Sequence, residues 1–367
     1  MDCGSYRGIK LLEHAMKIFE RVIEKRIREQ VKIDEMQFGF MPGKGTTDAI
    51  FIVRQMQEKF RAKGKKLYFG FVDLEKAFDR VPREVTWWAM RKLGVEEWLV
   101  SAVRAMYDGA RTVVRTVHGN TGSFKVKVGL HQGSGLSPLL FVIVMEAISR
   151  EFRTGLPWEL LYADDSEAEL VAKLRSWKDG LSRKGMKVNI SKTKVMVSGE
   201  QKVQLESSGK WPCGVCGKGV GRNSILCTKC GKWVHKKCSG IKGSLYKASV
   251  SFACSGCLRQ VSKEKIVADM EIDCGCVVEH VEKFCYLGDT LCVDGGADTA
   301  VTTRLRKGWD KFRQLAPFLT ASDIPLHTHG KVYSSCVRSC ILHASETWPV
   351  KKENVVALQR AERRMTR

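Results

Sequence analysis

The residues best suited to chemistry are carboxylates placed where strands end. Asp73 closes the apolar run LYFGFVDL (67–74), and the doublet Asp164-Asp165 closes WELLYADD (158–165). Carboxylates there suit Mg2+, which takes hard oxygen ligands and keeps coordination sites open for phosphate. Two such ions can activate an attacking hydroxyl and stabilise the leaving oxygen of a displacement at phosphorus. Either aspartate alone also reads as a turn or cap residue. The doublet is harder to explain that way. Two adjacent like charges beside a buried strand need a cation to offset repulsion and desolvation.

A second chemistry lies in the cysteines. Of 14, none falls between Cys3 and Cys213, and seven fall between Cys213 and Cys257. Cys213-x-x-Cys216, Cys227-x-x-Cys230, His235, Cys238 and Cys254-x-x-Cys257 supply eight thiolate or imidazole ligands. Tetrahedral zinc takes four, so the spacing predicts two structural Zn2+ sites. Cys274-x-Cys276 and the pair Cys336 and Cys340 lack metal spacing and read as buried thiols.

Other elements must position these groups. Apolar residues are 44% of the chain, enough for a sizeable core, and the net charge of +22 calls for a polyanionic partner. Nucleic acid is the first candidate and an anionic membrane surface the second. The longest apolar stretch, Leu139–Met145, is far shorter than the ~20 residues that span a bilayer. With no apolar leader in MDCGSYRGIK, the expectation is an intracellular protein, nuclear or cytoplasmic, without membrane partners.

Residues 9–28 carry Leu12, Met16, Phe19, Ile23 and Ile27 at helical spacing. FGFMPGKGTT (38–47) reads as a basic glycine-rich loop. A helix is predicted from near Pro82 to Gly94, and a hairpin over 112–128 around HGNTG. GLHQGSGLSP then opens an apolar helix with Ser137 as its expected cap and Pro138 in its first turn. A helix over 167–184 and strands near 187–190 and 194–198 come next. Residues 207–263 hold eleven Lys or Arg and no Asp or Glu. Past about 284 the pattern predicts basic helices near 297–315, 329–345 and 351–366.

FVDLEKAFDRV, GLHQGSGLSPLLF, YADD and KGMKVNISKTKVMVSG, in that order, resemble the motifs of reverse transcriptases of non-LTR (LINE-type) retrotransposons. YRGIKLL and DEMQFGFMPGKGTTDAI are similar to the family's fingers motifs, and FCYLGDTL and RSCILHASETWPV to the region beyond its palm. The resemblance implies an α+β right-hand polymerase fold with a partial helical thumb and a small zinc-stabilised insert. The implied boundaries are fingers 1–66, palm 67–204, insert 205–262, and connection with helical thumb-like region 263–367. The implied activity is RNA-directed DNA polymerisation, a nucleotidyl transfer on an RNA template and a DNA primer from deoxynucleoside triphosphates. Asp73 and Asp164 would hold two Mg2+ ions, with Asp165 beside them. Phe78 would sit under the incoming sugar and reject a 2'-hydroxyl. Gln132 and Gly133 would pack against nucleotide and template, Lys192 or Lys194 would face the triphosphate, and Lys44 would meet phosphates from the fingers loop. The family often has Arg where this chain has Met41.

The cysteine module resembles a PHD finger. That implies one site from Cys213, Cys216, His235 and Cys238 and another from Cys227, Cys230, Cys254 and Cys257, with Phe252 where the family usually has Trp. Its basic charge predicts repulsion of histone tails and attraction to nucleic-acid phosphates. The alternative is that zinc only folds the insert.

One departure decides the functional expectation. In the family, an apolar return strand comes after the acidic doublet. Here SEAELVAKLRSWKDGL begins at once, and Ser166 with Glu169 is a capping-box pattern. With the return strand deleted, the polymerase is expected to be impaired; the second reading is an inactive remnant that binds nucleic acid through its zinc module. The sequence shows no endonuclease motifs, so self-sufficient retrotransposition is not expected.

Overall fold

The computed structural model describes residues 9–117, 119–151, 166–199, 213–216, 218–220, 224–228, 232–241, 252–254, 269–273, 275–349 and 351–366, and the backbone of 162–164. Two compact units emerge, one from residues 1–200 with 270–367, the other from 201–269.

The larger unit is organised by β1 (Leu67–Phe71), a strand buried on both faces with Phe69 fully enclosed. Three helices precede or succeed it closely: α1 (His14–Gln30), α2 (Thr46–Ala62) and α3 (Arg83–Lys92). Then come α4 (Glu97–Tyr107) and α5 (Ser137–Ser149). α5 is apolar on all sides and buried against α3, as an all-apolar helix must be in water. The segment 111–125 between them forms the expected hairpin, interrupted into two nested antiparallel ladders, Arg111–Thr112 with Phe124–Lys125 and Arg115–Thr116 with Gly119–Asn120.

Next are β2 (Tyr162–Asp164), α6 (Glu167–Arg183) and β3 (Lys194–Ser198). Ser166 caps α6 as expected, its hydroxyl accepting from the Glu169 amide at 3.3 Å. The strand anticipated near 187–190 reduces to a single bridge between Leu74 and Val188.

Four strands come next, the last of them reaching into the region where helix was expected from about 284: β4 (Met270–Asp273), β5 (Cys276–His280), β6 (Lys283–Tyr286) and β7 (Asp289–Cys292). The main sheet has the order β4-β5-β3-β1-β2, and β6-β7 form a separate hairpin. Phe284 of β6 stacks on Phe71 of β1 at 4.0 Å between ring centroids. The long helix α7 (Asp298–Leu319) and the terminal helix α8 (Lys352–Met365) pack with the segment 326–342 around Val337 and Ile341. That segment is broken by a π-helical turn, Tyr333–Arg338. Cys276, Cys336 and Cys340 are half-exposed rather than buried, and Cys274 lies outside the described residues.

α1 presents a different face from the one its apolar residues suggest. Glu20, Ile23 and Ile27 are buried, while Met16 and Phe19 are exposed. The rotation places the Glu20 carboxylate, not an apolar side chain, against the loop before α5.

The smaller unit contains a ladder of Ser224–Leu226 with Trp233–His235 and a core of Cys213, Ile225, Cys227, Val234, Phe252 and Cys254.

Candidate active site

Asp73 stands two residues beyond β1, half-buried, and the turn after α6 clasps its backbone. The Asp73 amide donates to Thr193 Oγ1 at 3.2 Å, and its carbonyl accepts from the Asn189 amide at 2.8 Å. Thr193 Oγ1 in turn donates to the Asn189 carbonyl at 2.9 Å. Lys192 lies in this turn and is exposed. Lys194 begins β3 and is drawn into an ion pair with Glu279 of β5.

The remaining predicted nucleotide contacts assemble around Phe78. Its ring stacks on Phe141 of α5 at 4.8 Å, and Phe40 meets it edge-on at 6.3 Å. The Phe78 carbonyl accepts from the Leu130 amide at 2.8 Å, which brings the Gln132–Gly133 loop alongside. Phe40 belongs to the glycine-rich loop that also carries Lys44. Lys44 donates to the Glu35 carbonyl and lies over the Phe38 ring at 5.5 Å. Arg28 of α1 fastens the loop through the Phe40 carbonyl at 3.1 Å, a role the sequence did not single out.

Gly133 has φ of +102°, and a Cβ there would approach the Lys10 carbonyl to 2.6 Å, so only glycine fits. The Lys10 amide donates to the Gln132 carbonyl at 2.8 Å. Ser137 is not, as expected, the cap of α5 but its first helical residue, with Leu136 in the cap position. The Ser134 hydroxyl accepts from the amides of Leu136 and Ser137 at 3.2 and 3.3 Å. Ser137 Oγ is engaged with the Tyr107 hydroxyl at 3.1 Å. His131 lies tilted against Tyr107 at 4.3 Å, and the Arg83 guanidinium covers that ring at 5.2 Å. Burial holds the His131 imidazole down at about 4, and the nearby cations Lys10 and Arg83 push the same way.

Asp73, Phe78, Gln132, Gly133 and the Lys192 turn therefore share one end of β1. The backbone of Asp164 does not join them. β2 pairs antiparallel with β1, and Asp164 lies across from Tyr68. Tyr68 lies five residues before Asp73, roughly 16 Å at ~3.3 Å per extended residue. Asp165 and the side chain of Asp164 lie outside the described residues. Asp73, half-buried beyond β1, offers a hard carboxylate ligand of the kind Mg2+ takes.

The smaller unit shows a metal-ligating geometry. The ligand atoms of Cys213, Cys216, His235 and Cys238 all lie within 4.8 Å of one another. His235 Nδ1 faces Cys216 Sγ at 3.4 Å and Cys238 Sγ at 3.8 Å. Its Nε2 stands 2.9 Å from the Gly219 carbonyl. A carbonyl only accepts, so Nε2 carries the proton and Nδ1 is left as the ligand, the usual outer-sphere device of metal-binding histidines. Burial raises the Cys213 thiol, but hydrogen bonds from the Cys216, His235 and Val215 amides outweigh it and bring it to about 6. Three sulfurs and one nitrogen so placed could hold a tetrahedral ion. Of the other predicted set, the Cys254 amide donates to Cys227 Sγ at 3.3 Å, while Cys230 and Cys257 lie outside the described residues.

Residues 1–288 match the reverse transcriptase (RNA-dependent DNA polymerase) family. The chain belongs to this family. It is 27% identical over 225 residues to the Retrovirus-related Pol polyprotein from type-1 retrotransposable element R2 of Nasonia vitripennis, covering 56% of this chain and 22% of that protein. It is 33% identical over 177 residues to the RNA-directed DNA polymerase from mobile element jockey of Drosophila funebris, covering 45% of this chain and 19% of that protein. A probable RNA-directed DNA polymerase from transposon BS of Drosophila melanogaster aligns with 99% of this chain at 24% identity, and with 36% of its own length. The chain thus spans between about a fifth and a third of these relatives. The mixed helix and sheet architecture of the larger unit fits the right-hand polymerase fold of the family. Among the described residues no helix is long and apolar enough to cross a membrane.

Proposed function

We propose that this chain is the RNA-directed DNA polymerase portion of a non-LTR retroelement protein, one whose catalytic geometry is impaired. Its substrates would be an RNA template, a DNA primer and deoxynucleoside triphosphates. The family match over 1–288 carries the ancestral activity, and the pairing of Asp164 with Tyr68 carries the impairment. The proposed divisions are fingers 1–66, palm 67–204, zinc insert 205–262 and thumb-like region 263–367.

Within the palm, Phe78 would support the incoming sugar and exclude a 2'-hydroxyl. Gln132 and Gly133 would pack on the base pair being formed. Lys192, exposed beside Asp73, suits the triphosphate better than Lys194, whose ammonium is already paired with Glu279. Lys44 would reach phosphates from the fingers. Asp73, Asp164 and Asp165 would form the metal site only with the two strand ends adjacent. The antiparallel register of β2 on β1 supports a weakened metal site that leans on Asp73.

A second reading, an inactive remnant that binds nucleic acid, draws on the insert. Its proposed Zn2+ ions would be held as in a PHD finger, by Cys213, Cys216, His235 and Cys238 and by Cys227, Cys230, Cys254 and Cys257. Its uniformly basic charge favours phosphates over histone tails. Such a protein would reside inside the cell, with RNA or DNA.

Extension of a DNA primer on an RNA template in Mg2+ or Mn2+ tests the first reading. The expected result is weak extension that Asp73→Ala removes. Salt-dependent binding of the full chain to a single-stranded oligonucleotide, without any extension, would favour the second.

A further inference from the structure

The Glu20 carboxylate is buried, with 3% of the residue exposed, and among the described residues no cation pairs with it. Instead it faces two donors from the loop before α5. Ser134 Oγ donates to Glu20 Oε1 at 2.7 Å, and the Gly135 amide donates to Oε2 at 2.8 Å. A buried charge without a counter-ion is costly, and charge-assisted hydrogen bonds are what offset that cost. An apolar residue at this point of α1, in line with Ile23 and Ile27, would serve folding as well.

The bonds form a closed relay. Ser134 spends both lone pairs on the Leu136 and Ser137 amides and its proton on Glu20. The negative carboxylate therefore also faces the positive end of α5. Upstream, the Ser134 amide donates to the His131 carbonyl at 3.1 Å, and Lys10 grips the Gln132 carbonyl and abuts Gly133. The Gln132–Gly133 turn is thus held on one side by Lys10 and on the other by Glu20, both from the N-terminal segment.

We propose that Glu20 is the positioning residue for the Gln132–Gly133 loop: its two carboxylate oxygens, bonded to Ser134 and Gly135, hold the loop in the shape that receives the deoxynucleotide. This rests on the polymerase reading. Glutamine cannot substitute. Its amide nitrogen would confront a donor, and Ser134 has no lone pair left to accept from it.

The test uses the full chain, Glu20→Gln and Ser134→Ala. Three measurements are compared: hydrogen exchange of peptides covering 131–137, affinity for a fluorescent deoxynucleotide in Ca2+, and affinity for a primed RNA template. Glu20→Gln should speed exchange in 131–137 and weaken deoxynucleotide binding about tenfold, the size of one lost hydrogen bond to a charged group. Template affinity, which draws on many phosphate contacts beyond this loop, should fall by much less. Ser134→Ala should do the same, and the double variant should be no worse than the weaker single, because both break one relay. Unchanged exchange and unchanged nucleotide affinity in either folded variant would overturn the assignment. So would equal losses for nucleotide and template, the mark of a general structural role. If the unaltered chain binds template but no deoxynucleotide, the loop has no ligand to receive and the assignment fails. If it binds neither, the polymerase reading fails with it.

Discussion

Asp164 faces Tyr68 across the sheet, at the far end of β1 from Asp73. Strand polarity explains why. Two aspartates at the C-terminal ends of two strands share an edge only when those strands run parallel. β1 and β2 are antiparallel, so their C-terminal ends lie at opposite edges. A return strand placed between them would be antiparallel to both and would make them parallel. Only Asp165 and Ser166 separate β2 from α6, too short a span for such a strand. β2 instead lies directly beside β1, with a polarity opposite to the one a shared metal site needs.

The α2 helix is tied to the β6-β7 hairpin by a buried ion pair. Arg54 Nη2 lies 2.8 Å from Asp289 Oδ2, with side chains 5% and 0% exposed. Trp348 Nε1 donates to the same oxygen at 3.2 Å, and Arg54 also reaches the Thr290 carbonyl. Removing one partner of a buried pair strands the other charge, so Asp289→Ala should destabilise the larger unit by about 3–5 kcal/mol. Replacing the pair together, as Arg54→Met with Asp289→Leu, should cost less than the single change. Urea unfolding monitored by tryptophan fluorescence reads both.

His131 makes stability depend on pH. Its imidazole is held down at about 4 in the folded chain against an ordinary value of 6.5, with burial the leading cause. Below about 6.5 the unfolded chain takes up a proton that the folded chain refuses. The stabilisation is therefore complete above pH 6.5, declines as pH falls toward 4, and is gone below. Discounted for solvent screening of a half-exposed ring, the loss is about 1–2 kcal/mol. His131→Phe, which keeps the packing on Tyr107, should flatten this part of the stability profile.

Zinc content checks the smaller unit. The purified chain should carry two zinc ions by atomic absorption, and Cys216→Ser should carry one. The described ligands Cys213, Cys216, His235 and Cys238 should also protect their thiols from alkylation until a chelator is added. Full alkylation without chelator would contradict a metal at this cluster.

Much of the positioning framework is legible in the sequence. LYFGF reads as a buried strand because its apolar run is unbroken, and α6 is bounded by a capping signal whose partner bond forms as written. Strands β4 and β5 are less legible, because Glu271 and Glu279 break the apolar pattern with exposed charges. Glu20 escapes notice because charge at a helix position normally signals solvent, and only the loop amides reveal otherwise. The antiparallel register of β2 is invisible locally. Tyr162-Ala163-Asp164 has the same side chains in either polarity, and the length of chain between Asp165 and α6 decides its direction.

Primer extension with the missing strand restored is the most direct test. An apolar segment of about five residues inserted between Asp165 and Ser166 should return β2 to a parallel course and bring Asp164 back toward Asp73. Extension on a primed RNA template in Mg2+ should then rise at least ~100-fold over the unaltered chain, the scale expected from correcting even a small misplacement of a catalytic group. Asp73→Ala and Asp164→Ala should each abolish the gain. Robust extension by the unaltered chain, itself abolished by Asp164→Ala, would contradict the separation of the two aspartates.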